Sequence, residues 1–257
     1  MTKSTSVWHT FASLLPLLVI TPWITKLPTP VVDLINPRTG LPQLSEFQIL
    51  SHVRALSEDI GFRTVGTREH ALGDAWLLDQ VEKLRDQCKE LLSLTPGRRL
   101  ECEVWRQQGS GTHRFDMMNK RVYKNYVDLT NIIVRVSDGT PEGKRNAVLV
   151  NSHLDSTLPS PGAADDAISV GVMLECIRVL TETPESLQDG SHLYATQHFT
   201  AHTVRAIINL EAAGSTGPEL LFQATSEEMI EAYSHVPRPF GTVLANDVFS
   251  SGVIMSE

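Results

Sequence analysis

Apolar side chains recur with helical spacing in three stretches of this chain. After Ser45, which can cap a helix, Phe47, Leu50, Val53 and Leu56 share one stripe. From about Glu69 to Leu92, an inward face carries Leu72, Trp76, Leu77, Val81 and Leu84, and Pro96-Gly97 ends the segment. A third, more apolar helix opens at Ala163-Ala164-Asp165-Asp166 and runs to about Glu182. At Leu100, Cys102 and Val104 strict alternation replaces the helical period, the mark of a half-buried strand. Tyr123 to Val136 reads as a second strand, with Gln107 to Asp116 as a polar loop before it. Ala147-Val148-Leu149-Val150 is apolar without a break, the pattern of a strand covered on both faces. Val204 to Leu210 is another apolar strand, ending at Glu211, and Glu219 to Ala224 reads as one more. Thr225-x-x-Glu228 forms a capping box for a short helix to about Ser234. Strands alternating with helices predict an α/β fold: a mixed, mostly parallel sheet flanked by helices on both faces.

The N-terminus changes this picture. Val7 to Leu27 is mostly apolar, follows Lys3, and has the length of a membrane span, about 20 residues. Trp23 and Lys26 stand at its far end, as interfacial residues do. A cleaved signal peptide and an uncleaved anchor are the two readings. No small-x-small cleavage site follows the apolar core, which favours the anchor, with everything after Lys26 on the luminal side. Pro28 to Leu44, with four prolines, is a linker. The organisation expected is a membrane segment at 1–27, a linker at 28–44 and one domain at 45–257.

The length of 257 residues suits one α/β domain of ordinary size, and 41% hydrophobic with 20% charged residues is a globular composition. The net charge of −8 argues against nucleic acid as a partner. The three cysteines, Cys88, Cys102 and Cys176, form no C-x-x-C motif, so a thiolate zinc site is disfavoured. At most one disulfide can form. Cys88 with Cys102 is the better pair, because Cys176 lies inside an apolar helix; three buried thiols are the alternative.

Candidate chemistry gathers after the apolar strand. His153 and Asp155 follow its C-terminal end, and Asp165-Asp166 opens the next helix. In open α/β sheets ligands bind at such strand ends. Imidazole and carboxylate are zinc ligands. In an extended His153-x-Asp155 both side chains point the same way, so one can ligate while the other orients its ring. Taken singly these pieces are ordinary, since an Asp pair before a helix is most often an N-cap. Together, His153-x-Asp155, a short loop, Gly162-Ala163-x-Asp165-Asp166 and an apolar helix resemble the co-catalytic zinc aminopeptidase and carboxypeptidase family. They are most similar to its membrane-anchored branch, the endoplasmic reticulum metallopeptidases and fungal vacuolar membrane proteases. The resemblance runs from about Phe47 to the C-terminus and includes Glu185 to His192 and Asn209-Leu210-Glu211-Ala212-Ala213-Gly214.

The resemblance implies a site of two zinc ions. In it His153, Glu185 and Glu211 are ligands, Asp165 bridges the ions, and Asp155 orients His153 as the catalytic carboxylate that is not itself a ligand. It also implies a peptide substrate and an endomembrane location with a luminal domain. Two departures stand out. Where the family carries a Glu-Glu pair, this chain has Thr183-Pro184-Glu185, so Pro184 occupies the place of the general base. The apolar strand expected ahead of that pair is lacking, which makes the sheet incomplete. The family's last histidine ligand lies past the stretch matching Val248–Glu257 and is also expected to be missing. His192, His198, His202 and His235 are read as solvated rather than ligating. The expected function is a zinc-dependent peptide hydrolase, the alternative being a catalytically impaired binding module on the same fold.

Overall fold

The computed structural model describes residues 31–117, 120–145, 147–183, 203–211, 220–236 and 239–242. The apolar stretch 7–27 and Glu185 lie outside the described residues. Among those described, no helix is long and apolar enough to cross a membrane.

Helix α1 (Glu46–Arg54) starts at Ser45, whose hydroxyl accepts from Gln48 N, and continues as a π-type turn at Ala55–Ile60. Val53 and Leu56 face the core as expected, but Phe47 is 60% exposed and Leu50 37%. Ile49 packs inward instead, together with Ile60. The stripe is therefore Ile49, Val53, Leu56 and Ile60, rotated from the predicted one because of how α1 crosses the later helix α3 (Ile168–Glu182). At that crossing a Cβ on Gly171 would lie 2.9 Å from Ile49 O, so only glycine permits the approach. Helix α2 (Arg68–Leu94), capped by Thr67, buries Val81 and Cys88 and packs Trp76, Leu77 and Leu84 on the same cluster. Leu72, expected inward, is 44% exposed.

Strands β1 (Glu101–Met117) and β2 (Lys120–Ser137) pair antiparallel along their whole length, with one shift between Gly109 and Gly111. Residues 107–116, expected as a polar loop, are thus strand. In the outer part of a two-stranded ribbon both faces meet water, so pairing can hold the backbone extended without apolar alternation. Cross-strand polar contacts support it there, among them Thr112 to Asn125 at 2.8 Å. The inner part packs on α2 and α3, burying Leu100, Ile133 and Val136.

Strands β3 (Ala147–Asn151) and β4 (Val204–Asn209) pair in parallel, in register from Val148↔Ala206 to Asn151↔Asn209. The sheet structure is mixed, as expected, but among the described residues the parallel part is the shorter one. Of the strand expected at 219–224, the described residues 220–224 form a single bridge, Leu221↔Gly241. Helix α4 (Glu227–Ser234) is capped by Ser226, which accepts from Met229 N, rather than by Thr225.

Two cross-links fasten these pieces. Cys88 on α2 bonds Cys102 on β1, with Cα atoms 6.4 Å apart, which resolves the choice left open by the sequence; Cys176 is free. Replacing both, as Cys88→Ser with Cys102→Ser, is expected to lower stability by about 3 kcal/mol, the effect of opening a loop of this size. Denaturant titration of oxidised protein against the double variant measures it. On the other side, Glu175 of α3 is 2% exposed and accepts from Ser45 N at 3.0 Å and from Arg178 at 2.8 Å. Arg178 also donates to Gln43 O at 2.7 Å and pairs with Glu182. The described end of the proline-rich linker is therefore docked on α3, and Ile35↔Pro42 bridges it internally.

Candidate metal centre

The parallel register explains how the site assembles. Asn151 and Asn209 are partners at the ends of β3 and β4, their side-chain amides are hydrogen-bonded, and Leu210 N donates to Asn151 O at 2.9 Å. His153 and Glu211, each two residues beyond its strand, thus leave the sheet at the same edge. Asp165 returns to that edge through the loop after Pro159. There the chain makes a π-type turn at Ala163–Ala167, within which Asp165 (φ −120°, ψ 86°) and Asp166 (φ −133°, ψ 28°) are not helical. The two aspartates therefore do not begin the helix as the sequence pattern suggests. Gly162 enters the turn with φ +67°, and a Cβ there would lie 2.3 Å from Asp165 O, so the turn requires glycine. Ala167 N donates to Gly162 O at 3.1 Å and closes it.

His153 Nε2 lies 3.0 Å from Asp165 Oδ1 and 3.4 Å from Glu211 Oε1, and one donor atom from each of the three falls within 4.8 Å of the others. On the ring's far side, Nδ1 lies 3.3 Å from Asp155 Oδ1 and 3.1 Å from Asp155 O. Asp155 thus holds the ring so that Nε2 faces the other two carboxylates. The hydrogen bond with Asp155 outweighs desolvation and pushes the His153 imidazole up to about 10; the same contact holds the Asp155 carboxyl below its ordinary value. Asp166 is fully buried beneath the site, where its Oδ2 accepts from His153 N at 3.3 Å. Burial pushes its carboxyl up to about 7, against the hydrogen bonds from Ser169 and His153 N.

This arrangement gathers carboxylates around one nitrogen, a set of groups that could hold a cation. The donor set of one imidazole and two carboxylates, with no thiolate, suits zinc. Bonds of about 2.0–2.1 Å in tetrahedral geometry set neighbouring ligand atoms about 3.3 Å apart, close to the separations from Nε2. Of the other residues in the sequence expectation, Glu185 lies outside the described residues, as do His192, His198 and His202. His235 hydrogen-bonds Glu231 O on α4 and is not among the converging groups. The sequence marks Asp166 only as the second residue of the Asp165-Asp166 pair, and Arg63 only as the first residue of the Arg63–Arg68 loop, which resembles an arginine-glycine loop of the family; it gives neither a role. Arg63 stands in a loop between Phe62 and Thr64, where no periodicity signals burial, yet it is fully enclosed behind His153.

Residues 131–257 match peptidase family M28, and that stretch contains His153, Asp155, Asp165 and Glu211. That stretch is an M28 peptidase segment. A Schizosaccharomyces pombe relative whose name carries endoplasmic reticulum metallopeptidase 1 is 48% identical over 244 residues, 89% of this chain. The rat endoplasmic reticulum metallopeptidase 1 is 37% identical over 81% of the chain, and the vacuolar membrane protease of Sclerotinia sclerotiorum 39% identical over 44%. The chain spans 29% of the length of the first of these and 24% of the second. Its fold is that of the leucine aminopeptidase precursor from Bacteroides thetaiotaomicron, with a TM-score of 0.53, 15% identity, and 88% and 85% of the two chains covered. Glutaminyl cyclase from the same organism shares the fold at a TM-score of 0.54 and 15% identity, over 84% of this chain and 83% of its own. The M28 segment thus starts within β2 and includes the whole edge where the three donors meet.

Proposed function

We propose that this chain carries the metal centre of a zinc-dependent, aminopeptidase-like peptide hydrolase whose domain lies in the lumen of an endomembrane. The convergence of His153, Asp165 and Glu211 at the M28 strand edge is the observation that supports it. In this reading His153 and Glu211 would hold an ion, Asp165 would be shared with a second one, and Glu185, outside the described residues, would add a further ligand. An ion held by these residues would supply Lewis-acid polarisation of the scissile carbonyl and an activated water. Asp155 fixes the ring orientation of His153, and Asp166 holds the backbone N–H of His153 from below. The Cys88–Cys102 disulfide favours an oxidising compartment, in keeping with a luminal domain. The names of the relatives point to endoplasmic reticulum or vacuole, and 1–27 is the proposed anchor.

A second reading has one sequence observation behind it. Pro184, which has no group able to take a proton, precedes Glu185 where the family carries its base. A domain that holds zinc without hydrolysing peptides would follow. One experiment separates the two: zinc stoichiometry and turnover of aminoacyl and peptidyl reporters, measured on the full chain with and without a chelator. Turnover at roughly 1–10³ per second that a chelator abolishes supports the hydrolase. Bound zinc with turnover at background supports the silent domain, and no zinc uptake removes both.

A further inference from the structure

The residue that ties the metal loop together lies outside it in sequence. Arg63 has no solvent exposure, and its guanidinium donates to five main-chain carbonyls. Nε reaches Leu154 O at 2.8 Å; Nη1 reaches Leu56 O at 2.6 Å, Gly61 O at 3.0 Å and Pro161 O at 2.9 Å; Nη2 reaches Gly162 O at 3.3 Å. Leu154 stands between His153 and Asp155. Pro161 and Gly162 lead into the turn that carries Asp165. Leu56 and Gly61 belong to the end of the helical segment after α1, where a cation is favoured by the exposed carbonyls. The main chain of Arg63 is engaged as well: its N–H donates to Ser156 Oγ at 2.9 Å, and its carbonyl accepts from Ser156 N at 3.2 Å. The stem fits because residue 73 of α2 is glycine, since a Cβ there would lie 2.9 Å from Arg63 Cδ.

We propose that Arg63 is the positioning residue of the metal centre: by holding Leu154, Pro161 and Gly162 on one guanidinium, it sets the separation of His153 and Asp165. The inference rests on the metal reading above for its consequence and on the hydrogen bonds for its geometry. The planar guanidinium reaches all five carbonyls from three nitrogens, with the two Nη1 hydrogens shared among Leu56 O, Gly61 O and Pro161 O, whereas lysine offers its three donors from a single nitrogen on a flexible stem. Lysine at 63 retains the charge and leaves the carbonyl set incompletely paired. The loop would then sample wider separations of His153 Nε2 and Asp165 Oδ1, and a ligand pair that is not held apart correctly binds metal more weakly.

The test uses the full chain in three forms besides the native one: Arg63→Lys, Ser156→Ala, and Arg178→Ala as a variant destabilised at a distance. Zinc affinity is read by competition with a chromophoric chelator, the geometry by the visible spectrum of the Co²⁺-loaded protein, and the loop by amide exchange of residues 154–167 in metal-free protein. Arg63→Lys is expected to lose about 10–100-fold in zinc affinity, the range for removing a group that orients a metal ligand. Its Co²⁺ spectrum should broaden and exchange in 154–167 should accelerate, while α2 exchange stays as in the native chain. Ser156→Ala should move in the same direction by less, and it carries the test if Arg63→Lys does not fold. Arg178→Ala should lose stability while keeping native zinc affinity. Affinity and loop exchange in the position-63 and position-156 variants that equal those of Arg178→Ala overturn the inference. If the native chain takes up no zinc, the metal reading fails, and loop exchange alone decides whether Arg63 positions 154–167.

Discussion

His153→Ala is expected to abolish high-affinity zinc binding. Its Nε2 is common to both short contacts of the site, at 3.0 Å to Asp165 and 3.4 Å to Glu211. Without the imidazole the two carboxylates remain at the sheet edge with no nitrogen donor between them, and nothing among the described residues replaces it within reach. Asp155→Asn is the graded comparison. It keeps the shape and most of the hydrogen bonding to Nδ1 but removes the charge, so its loss should stay within about 10–100-fold. His153→Ala should exceed that range. Both variants should retain the native fold, because His153 is only part-buried and the main-chain contacts of the 151–156 segment survive. Titration calorimetry with zinc, backed by circular dichroism, gives both quantities. Native-like zinc affinity in His153→Ala would show that the cluster is not the metal site.

The second large effect is on stability and lies across the molecule. Arg178→Ala removes the guanidinium from Glu175, which is 2% exposed in the native chain and keeps Ser45 N as a hydrogen-bond donor, and it frees Gln43 O. Removing one partner of a buried pair typically costs about 3–5 kcal/mol, because the remaining charge keeps its desolvation penalty without its counter-ion. For a chain of this size that corresponds to a fall in midpoint temperature on the order of 10 °C. The paired change Glu175→Leu with Arg178→Met removes both charges and should restore much of the loss, since apolar replacements of buried pairs are often neutral or better. Calorimetric melting of the three proteins decides it. A double variant no more stable than Arg178→Ala would mean that docking of the 43–45 segment, rather than the stranded charge, carries the effect.

Much of the site could be read from the chain because its parts are local. An apolar strand followed directly by His153-x-Asp155 places both residues at one sheet edge, and the loop from Pro159 brings Asp165 back to it within a few residues. The α/β class was legible for a similar reason, since the apolar period of each segment records which face it buries. Glu211 came instead from resemblance, and the structure supplies its physical basis: the parallel pairing Asn151↔Asn209 sets residues two past each strand side by side.

What the sequence could not disclose depends on partners distant along the chain. Helical spacing marked a stripe on α1 but not its orientation, which the close approach of Gly171 turns toward Ile49 and away from Phe47. Polar composition at 107–116 matched a loop, and only the register with β2 made it a strand, because backbone pairing needs no apolar side chain. Cys88 and Cys102 gave two equal readings until α2 and β1 were brought to 6.4 Å between Cα atoms. Arg63 is the extreme case. An arginine in a polar loop resembles a solvated one, and its burial is decided by five carbonyls from segments up to 99 positions away. The sequence by itself determined the chemistry available at the strand edge and the kind of fold that presents it. The tertiary structure alone decided how far apart those groups are held, because main-chain carbonyls carry no residue identity and their convergence on one guanidinium leaves no trace in the pattern of side chains.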